Sequence, residues 1–155
     1  MITPHSYVLI SCKGAADSRL NAFDAALHSA GIADFNFITV SSILPKGCKK
    51  TTMDAIKGIE RGSFMYCVMS KASSNMKGET ISSAIACART KETVGVVTES
   101  SGSFSSRESE ERAREMCKEM LSIRNATPSS IDTTSAEMLV EQGWGCCISL
   151  CLLLY

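Results

Sequence analysis

Apolar residues recur along this chain in two patterns, one typical of strands and one typical of helices. Runs rich in β-branched and aromatic residues occupy positions 6–12, 36–44 and 63–71, a composition that favours strands. Two further candidate strands lie near 131–139 and 144–154. We therefore predict a strand at each of these positions.

Two other segments place their apolar residues at helical spacing. The first begins after Asp17 and Ser18, which offer N-cap chemistry, and ends at Gly31, a residue suited to helix termination. The second opens with Ser105 and Glu108, which are spaced as a capping box. The apolar stripes consist of Leu20, Phe23, Ala26, Leu27 and Ala30 in the first helix and Ala113, Met116, Cys117, Met120 and Leu121 in the second.

The remaining segments suggest a hairpin and the overall class of the fold. Residues 79–88 and 94–100 predict the two arms of the hairpin, although the composition of the first arm also allows a helix. Residues 73–78 predict a loop, and residues 49–62 match neither pattern. Strands outnumber helices, and no repeat or linker divides the chain. We predict one α+β domain, residues 1–155, built as a sandwich of largely antiparallel sheet with helices packed on its faces.

The composition limits which binding partners and which cellular compartment we expect for this protein. The chain is 45% hydrophobic with a formal net charge of zero, and it lacks a basic stripe, so we expect no nucleic-acid partner. Its eight cysteines lie mostly in apolar segments and no signal peptide precedes them, which predicts reduced thiols in the cytoplasm. The apolar stretch 146–155 is too short to cross a bilayer, so we expect a buried core element and no membrane association.

Most catalytic signatures are missing from the sequence. Its two histidines, His5 and His28, are far apart, and no G-x-S-x-G elbow accompanies them. No C-x-x-C motif occurs, and a strand would send the adjacent Cys146 and Cys147 to opposite faces, so we expect no metal site. Residue patterns alone therefore indicate an α+β domain and no particular chemistry.

Longer segments resemble a known family. The stretch "LNAFDAALHSAGIADFNFITVSSILPKG", positions 20–47, is similar to the pyruvoyl-dependent arginine decarboxylases of archaea and some bacteria. The likeness extends over nearly the whole chain through "KGETISSAIACA", "VGVVTESSG", "AREMCKEM" and "VEQGWGCCISLCLLLY". The combination of Leu-Asn-Ala-Phe-Asp with a downstream Ser-Ser-Ile is highly specific.

This resemblance implies that the chain makes its own cofactor. Ser42 Oγ would attack the carbonyl of Ser41, and elimination would then cut the chain into residues 1–41 and residues 42–155. The new N-terminus of the longer chain would be a pyruvoyl group derived from Ser42. Asn36 matches the family asparagine that would donate to the developing oxyanion or organise the cleavage site.

The resemblance also implies a reaction. The pyruvoyl group would form a Schiff base with L-arginine, and loss of carbon dioxide would lead to agmatine. Glu99 matches the proton donor and Asp24 the guanidinium-binding acid. Family members are trimers with the site between subunits, so a homotrimer or a dimer of trimers is implied. The positions that match apolar substrate contacts are Leu20, Leu27, Phe35 and Ile43, although plain core packing is the role that we favour for these four.

The sequence departs from the family pattern in places that affect the substrate more than the chemistry. Phe35 is bulkier than the usual residue, Ala33 replaces a common glycine, and residues 48–62 lack the Pro-rich family pattern. A decarboxylase of lysine, ornithine or histidine therefore stays open as an alternative. So does an unprocessed, non-enzymatic partner in a mixed oligomer.

Overall fold

The computed structural model describes residues 2–155, which form two stacked β-sheets with one helix against each outer face. This architecture confirms the predicted α+β sandwich. The elements are β1 (Ser6–Ala16), α1 (Arg19–Ser29), β2 (Asn36–Thr39), β3 (Ile43–Leu44), β4 (Lys49–Lys50), a 3₁₀ helix (Met53–Ile56), β5 (Phe64–Ser74), β6 (Thr80–Arg89), β7 (Gly95–Gly102), α2 (Ser106–Ile123), β8 (Ser130–Leu139) and β9 (Trp144–Leu154).

Antiparallel pairing dominates both sheets, as the sequence predicts. The first sheet has the strand order β2-β5-β9-β1-β4 and the second has the order β3-β7-β6-β8. In the described part of the chain, only the edge pairs β1 with β4 and β2 with β5 run parallel. The predicted hairpin is the antiparallel pair of β6 and β7, so the first arm is a strand and not a helix.

Strand β9 forms the centre of the first sheet and is buried from Gly145 to Leu154. The C-terminal segment is therefore the core element that its apolar composition predicts. Its adjacent cysteines point to opposite faces, since Cys146 packs beneath α1 whereas Cys147 packs with residues between the sheets. All eight cysteines are buried and unbridged.

Helix α1 begins and ends where its terminal residues predict. The Ser18 side chain accepts a hydrogen bond from the Asn21 N–H at 3.2 Å, and Gly31 follows the helix with φ +72°. The helix lies very close to β1 because Gly14 has no side chain. A Cβ at Gly14 would lie 2.7 Å from the Ala25 carbonyl carbon.

Helix α2 covers the outer face of the second sheet, against β6 and β7. The Ser105 hydroxyl accepts from the Glu108 N–H at 3.2 Å. The other half of the capping box is replaced, since the Glu108 carboxylate pairs with Arg112 at 2.8 Å. Among residues 2–155, neither helix is long and apolar enough to cross a membrane.

The predicted strand 36–44 is wrong as a single element. The chain pairs with β5 through Thr39, leaves the first sheet, and joins the second sheet at Ile43. Alternation along a sequence identifies extended backbone but does not say which sheet it joins. Two smaller differences are that β5 extends to Ser74, into the predicted loop, and that residues 49–62 contain β4 and the 3₁₀ helix.

Candidate active site

The Ser41–Ser42 peptide lies where the chain crosses from one sheet to the other. On one side, the Val40 N–H donates to the Cys67 carbonyl of β5 at 2.9 Å. On the other side, the Ser42 carbonyl accepts from the Val97 N–H of β7, also at 2.9 Å. The crossing is therefore held at both ends by backbone hydrogen bonds, one to each sheet.

Between these two anchors the backbone forms a three-residue turn. The Ile43 N–H donates to the Ser41 carbonyl oxygen at 2.9 Å, which places Ser42 at the centre of the turn. Ser41 is exposed and Ser42 is half-buried. The carbonyl that the Ser42 hydroxyl would attack is thus already polarised by a backbone donor.

Glu99 belongs to the strand that holds Ser42. Ser42 lies opposite Val97, and Val97 packs in the cluster between the two sheets. Glu99 is two residues further along β7, so it shares this face at a spacing of about 7 Å. The structure therefore brings the predicted cofactor precursor and the predicted proton donor to one edge of the sandwich.

The surroundings of Glu99 favour its protonated form. Although the side chain is exposed in the single chain, partial desolvation of the carboxyl raises the pKa of Glu99. The acid also affects β5, because burial and then the nearby Glu99 carboxylate raise the pKa of the Cys67 thiol to about 11. A raised pKa suits a carboxyl that must deliver a proton near neutral pH.

A second contact fixes β7 against β5 beside this acid. The Ser70 hydroxyl donates to the Ser100 carbonyl at 2.8 Å, and Ser70 is only 3% exposed. No pattern in the sequence identifies this pair, because the two residues belong to different sheets. A polar residue at an inward position of β5 was the one available signal.

Asn36 does not reach the crossing within this chain. Its side-chain nitrogen donates to the Gly62 carbonyl at 2.7 Å, and its backbone N–H donates to the Ser63 carbonyl at 2.9 Å. The strand between Asn36 and Val40 is extended, which separates them by about 13 Å. Within one subunit, Asn36 therefore fastens the start of β2 to the loop that precedes β5.

Asp24 is also distant from Ser42 in the single chain. It is exposed on α1, which covers the outer face of the first sheet. Ser42 and Glu99 lie on the side of β7 that faces the other sheet, so the first sheet separates the two parts of the predicted site.

The four apolar candidates divide into two pairs. Leu27 is 4% exposed and Phe35 is half-buried, and both pack in the core beneath α1. Leu20 is 74% exposed and Ile43 is 38% exposed. Leu20 lines a cleft of about 420 Å³ between α1 and β5, with Arg19, Phe23, Lys71 and Ser73. Across residues 2–155, no three His, Cys, Asp or Glu side chains converge as a metal site.

These features define a class of protein: a two-sheet sandwich whose chain crosses between the sheets at a serine pair, beside an acid with a raised pKa. Comparison with known proteins identifies the family. The family model described as pyruvoyl-dependent arginine decarboxylase matches residues 6–155. The chain belongs to this family.

Curated relatives cover almost the same length. The chain is 34% identical over 154 residues to a pyruvoyl-dependent arginine decarboxylase of Methanococcus aeolicus, an alignment that covers 98% of this chain and 91% of the relative. It is 36% identical over 131 residues to one of Methanothermobacter thermautotrophicus, covering 83% and 85% of the two chains. It is 31% identical over 154 residues to one of Methanocaldococcus jannaschii, covering 98% and 91%.

Proposed function

We propose that this chain is a self-processing, pyruvoyl-dependent decarboxylase that converts L-arginine to agmatine and carbon dioxide. Family membership supports the activity. The observation that carries the self-processing is the Ser41–Ser42 crossing, where a half-buried serine follows a hydrogen-bonded carbonyl. Eight unbridged, buried cysteines suit a reducing compartment, so we place the enzyme in the cytoplasm.

Self-processing uses atoms that the crossing already holds together. Ser42 Oγ adds to the Ser41 carbonyl carbon, the C–N bond breaks, and the proton of the hydroxyl passes to the released amine. A base then removes the Ser42 α-proton, and the Ser41 carboxylate leaves from Cβ. The resulting dehydroalanine tautomerises and takes up water, which releases ammonia and leaves a pyruvoyl group at residue 42. The backbone hydrogen bonds at the two ends of the crossing hold the serine pair in place, so little further movement is needed for the first step.

The residues around position 42 fit a pyruvoyl group. The position is half-buried, and its own carbonyl accepts from the Val97 N–H at 2.9 Å. Such a group would supply a carbonyl that can condense with the substrate α-amine and withdraw electrons as carbon dioxide leaves. The hydrogen bond from Val97 strengthens this withdrawal, because it polarises the amide carbonyl next to the ketone position.

Glu99 then returns the proton to the substrate α-carbon. Its place on β7, two residues beyond the Val97 that holds Ser42 and on the same face of the strand, supports this role. Partial desolvation raises the pKa of Glu99 and keeps a larger share of the carboxyl protonated. General-acid catalysis of this kind contributes roughly 10²- to 10⁴-fold in rate.

Asp24 from a second copy of the chain would select the substrate. A carboxylate accepts two parallel hydrogen bonds from a guanidinium, and Leu20 beside it offers apolar surface to the substrate stem. We propose the homotrimer, or dimer of trimers, that the family resemblance implies, with Ser42 and Glu99 from one subunit and Asp24 from its neighbour. The predicted roles of Leu27 and Phe35 reduce to shaping the core beneath α1. Asn36 is proposed to organise the start of β2 for cleavage.

A denaturing intact-mass spectrum of the purified protein tests the self-processing. We expect two fragments that meet between Ser41 and Ser42, with the larger carrying a pyruvoyl mass and resisting N-terminal sequencing. A single species of 16.6 kDa after prolonged incubation would contradict the proposal and favour the non-enzymatic partner.

A substrate panel tests the choice of arginine. Release of labelled carbon dioxide is measured with arginine, lysine, ornithine and histidine at equal concentrations. We expect the highest kcat/KM for arginine, since only its guanidinium can make both hydrogen bonds to one carboxylate. Preference for another amino acid would preserve the chemistry and reject the proposed substrate.

A further inference from the structure

The Ser41 carbonyl, at the cleavage point, accepts a hydrogen bond from a backbone N–H. Matching side chains to those of a family would not reveal such a donor. We infer that the Ile43 N–H is the oxyanion donor of self-cleavage, acting on the Ser41 carbonyl oxygen from two residues downstream. Their separation is 2.9 Å. The inference deepens the proposed function and depends on it, because it concerns the first step of the same cleavage.

The geometry of the turn suits this role. A nucleophile approaches a carbonyl from above its plane, whereas the Ile43 N–H donates to the oxygen from the side. The hydrogen bond can therefore persist while Ser42 Oγ adds and negative charge grows on the Ser41 oxygen. A donor that is already in place needs no reorganisation at that moment, which is what makes such groups effective.

The donor is available because β3 is an edge strand. Ser42 directs its carbonyl toward β7, so the next residue directs its N–H away from β7. Among residues 2–155, no other strand lies on that side of the second sheet. Without the turn, the Ile43 N–H would face solvent, and the turn gives it the Ser41 carbonyl as its acceptor.

Other donors are already engaged. The Asn36 amide nitrogen donates to the Gly62 carbonyl at 2.7 Å, at the far end of β2. The Val97 N–H donates to the carbonyl of Ser42, which is not the carbonyl under attack. Within residues 2–155, the Ile43 N–H is the one donor to the Ser41 carbonyl oxygen.

Replacing the Ile43 N–H by an ester oxygen tests the inference. The ester is introduced at the Ser42–Ile43 linkage by incorporating the α-hydroxy analogue of isoleucine, and cleavage is followed by intact mass. We expect the cleavage rate to fall about 100-fold, the usual effect of removing one oxyanion donor. An unchanged rate would overturn the inference while leaving self-processing intact. An unmodified chain that does not cleave would instead reject the proposed function.

An ester at the Val96–Val97 linkage is the matched control. The ester at Ile43 also weakens the Ser42 carbonyl as an acceptor, so it loosens the bond from Val97. The control removes the Val97 N–H directly and leaves the Ile43 donor in place. We expect the control to cleave at least tenfold faster than the Ile43 ester. Equal slowing by both esters would assign the effect to anchoring and overturn the inference.

Amide hydrogen exchange provides a measurement that needs no ester. In the Ser42→Ala precursor, which keeps the backbone but has no nucleophile, the Ile43 amide should exchange more slowly than in an unstructured peptide of the same sequence. The Val97 amide serves as the internal reference for a hydrogen-bonded group beside the turn. Unprotected exchange at Ile43 with protection at Val97 would show that the turn bond is absent and would overturn the inference.

Discussion

Ser42 has two proposed roles, and its backbone position makes them compatible. As a residue of the uncut chain, it follows a carbonyl that accepts a hydrogen bond from the Ile43 N–H. As the first residue of the longer fragment, it would keep its own carbonyl bonded to Val97. The same few hydrogen bonds therefore serve the cleavage and then hold the cofactor in place.

Replacing Ser42 by alanine removes the nucleophile and nothing else of the crossing. We expect the Ser42→Ala chain to remain uncut in an intact-mass spectrum and to release no carbon dioxide from arginine. The matched control is Ser41→Ala, which keeps the attacked carbonyl and loses only an exposed hydroxyl. Cleavage of the Ser42→Ala chain would remove this serine from the mechanism.

Glu99 should determine how activity depends on pH. Because desolvation raises its pKa above the usual value, the protonated acid persists further toward neutral pH, and kcat should fall as pH rises through that raised pKa. Glu99→Gln should still cleave, should turn over roughly 10²- to 10⁴-fold more slowly, and should lack this decline. Carbon dioxide release, measured over a range of pH for the unaltered protein and for Glu99→Gln, gives both the turnover rate and its pH dependence. Normal turnover by the variant would exclude Glu99 as the proton donor.

The contribution of Glu99 to the stability of the fold should change with pH in the same direction as the activity. A carboxyl whose pKa is higher in the folded state stabilises the fold most when it is protonated, below its unfolded pKa. That contribution is lost as pH rises through the raised pKa. The contribution of Glu99 to stability and the proposed activity of Glu99 as an acid are therefore both greatest at pH values below its raised pKa.

At the scale of elements, the position of α1 depends on the close approach of its backbone to β1. Gly14 permits this approach, because any side chain there would lie closer than 3.0 Å to the backbone of Ala25 and Ala26. Backbone atoms in a packed helix have little room to move. The helix that carries Asp24 is thus placed by a glycine on the neighbouring strand.

Gly14→Ala should displace α1 and with it Asp24. We expect a loss of about 1–3 kcal/mol in the free energy of unfolding, measured by urea denaturation, together with a raised KM for arginine. Self-cleavage should continue, since Ser42 lies across the first sheet from α1. Ser11→Ala, an exposed change on the same strand, is the control and should alter neither quantity. An unchanged KM in a destabilised Gly14→Ala protein would separate α1 from substrate binding.

At the scale of the whole molecule, the residues of the proposed site lie on two sides of one sheet within a single chain. The first sheet lies between Asp24 on α1 and the pair Ser42 and Glu99. Two open strand edges lie beside that pair, because β2 pairs with β5 only as far as Cys67 and β3 pairs with β7 only at Gly95 and Val96. These features agree with an active site assembled between copies.

Co-expression of two inactive variants tests this assembly. Ser42→Ala and Asp24→Ala should restore activity together, because a cleaved subunit from one can meet Asp24 of the other. Ser42→Ala with Glu99→Gln is the control and should stay inactive, since both residues act from the same subunit. Absence of recovery in the first pair would place Asp24 and Ser42 in one subunit or exclude Asp24 from the site.

Local chemistry explains why much of the fold could be predicted. Ser18 and Ser105 cap helices because their hydroxyls accept nearby backbone N–H groups, a contact made within three residues. The largely apolar run of β9, broken only by Ser149 after Gly145, indicates a strand buried on both faces, and the strand lies at the centre of its sheet. The family was recognisable because its site residues lie within contiguous segments of sequence.

The sequence by itself determined the fold class, the family and the identity of the proposed site residues, because these depend on residue type and on short spacings. Only the tertiary structure decided how the segment 36–44 is divided between two sheets, which backbone donor meets the Ser41 carbonyl, and that Asp24 lies across a sheet from Ser42. These facts depend on pairing between strands distant in sequence. Such pairing follows from how whole sheets pack, and no local pattern encodes it.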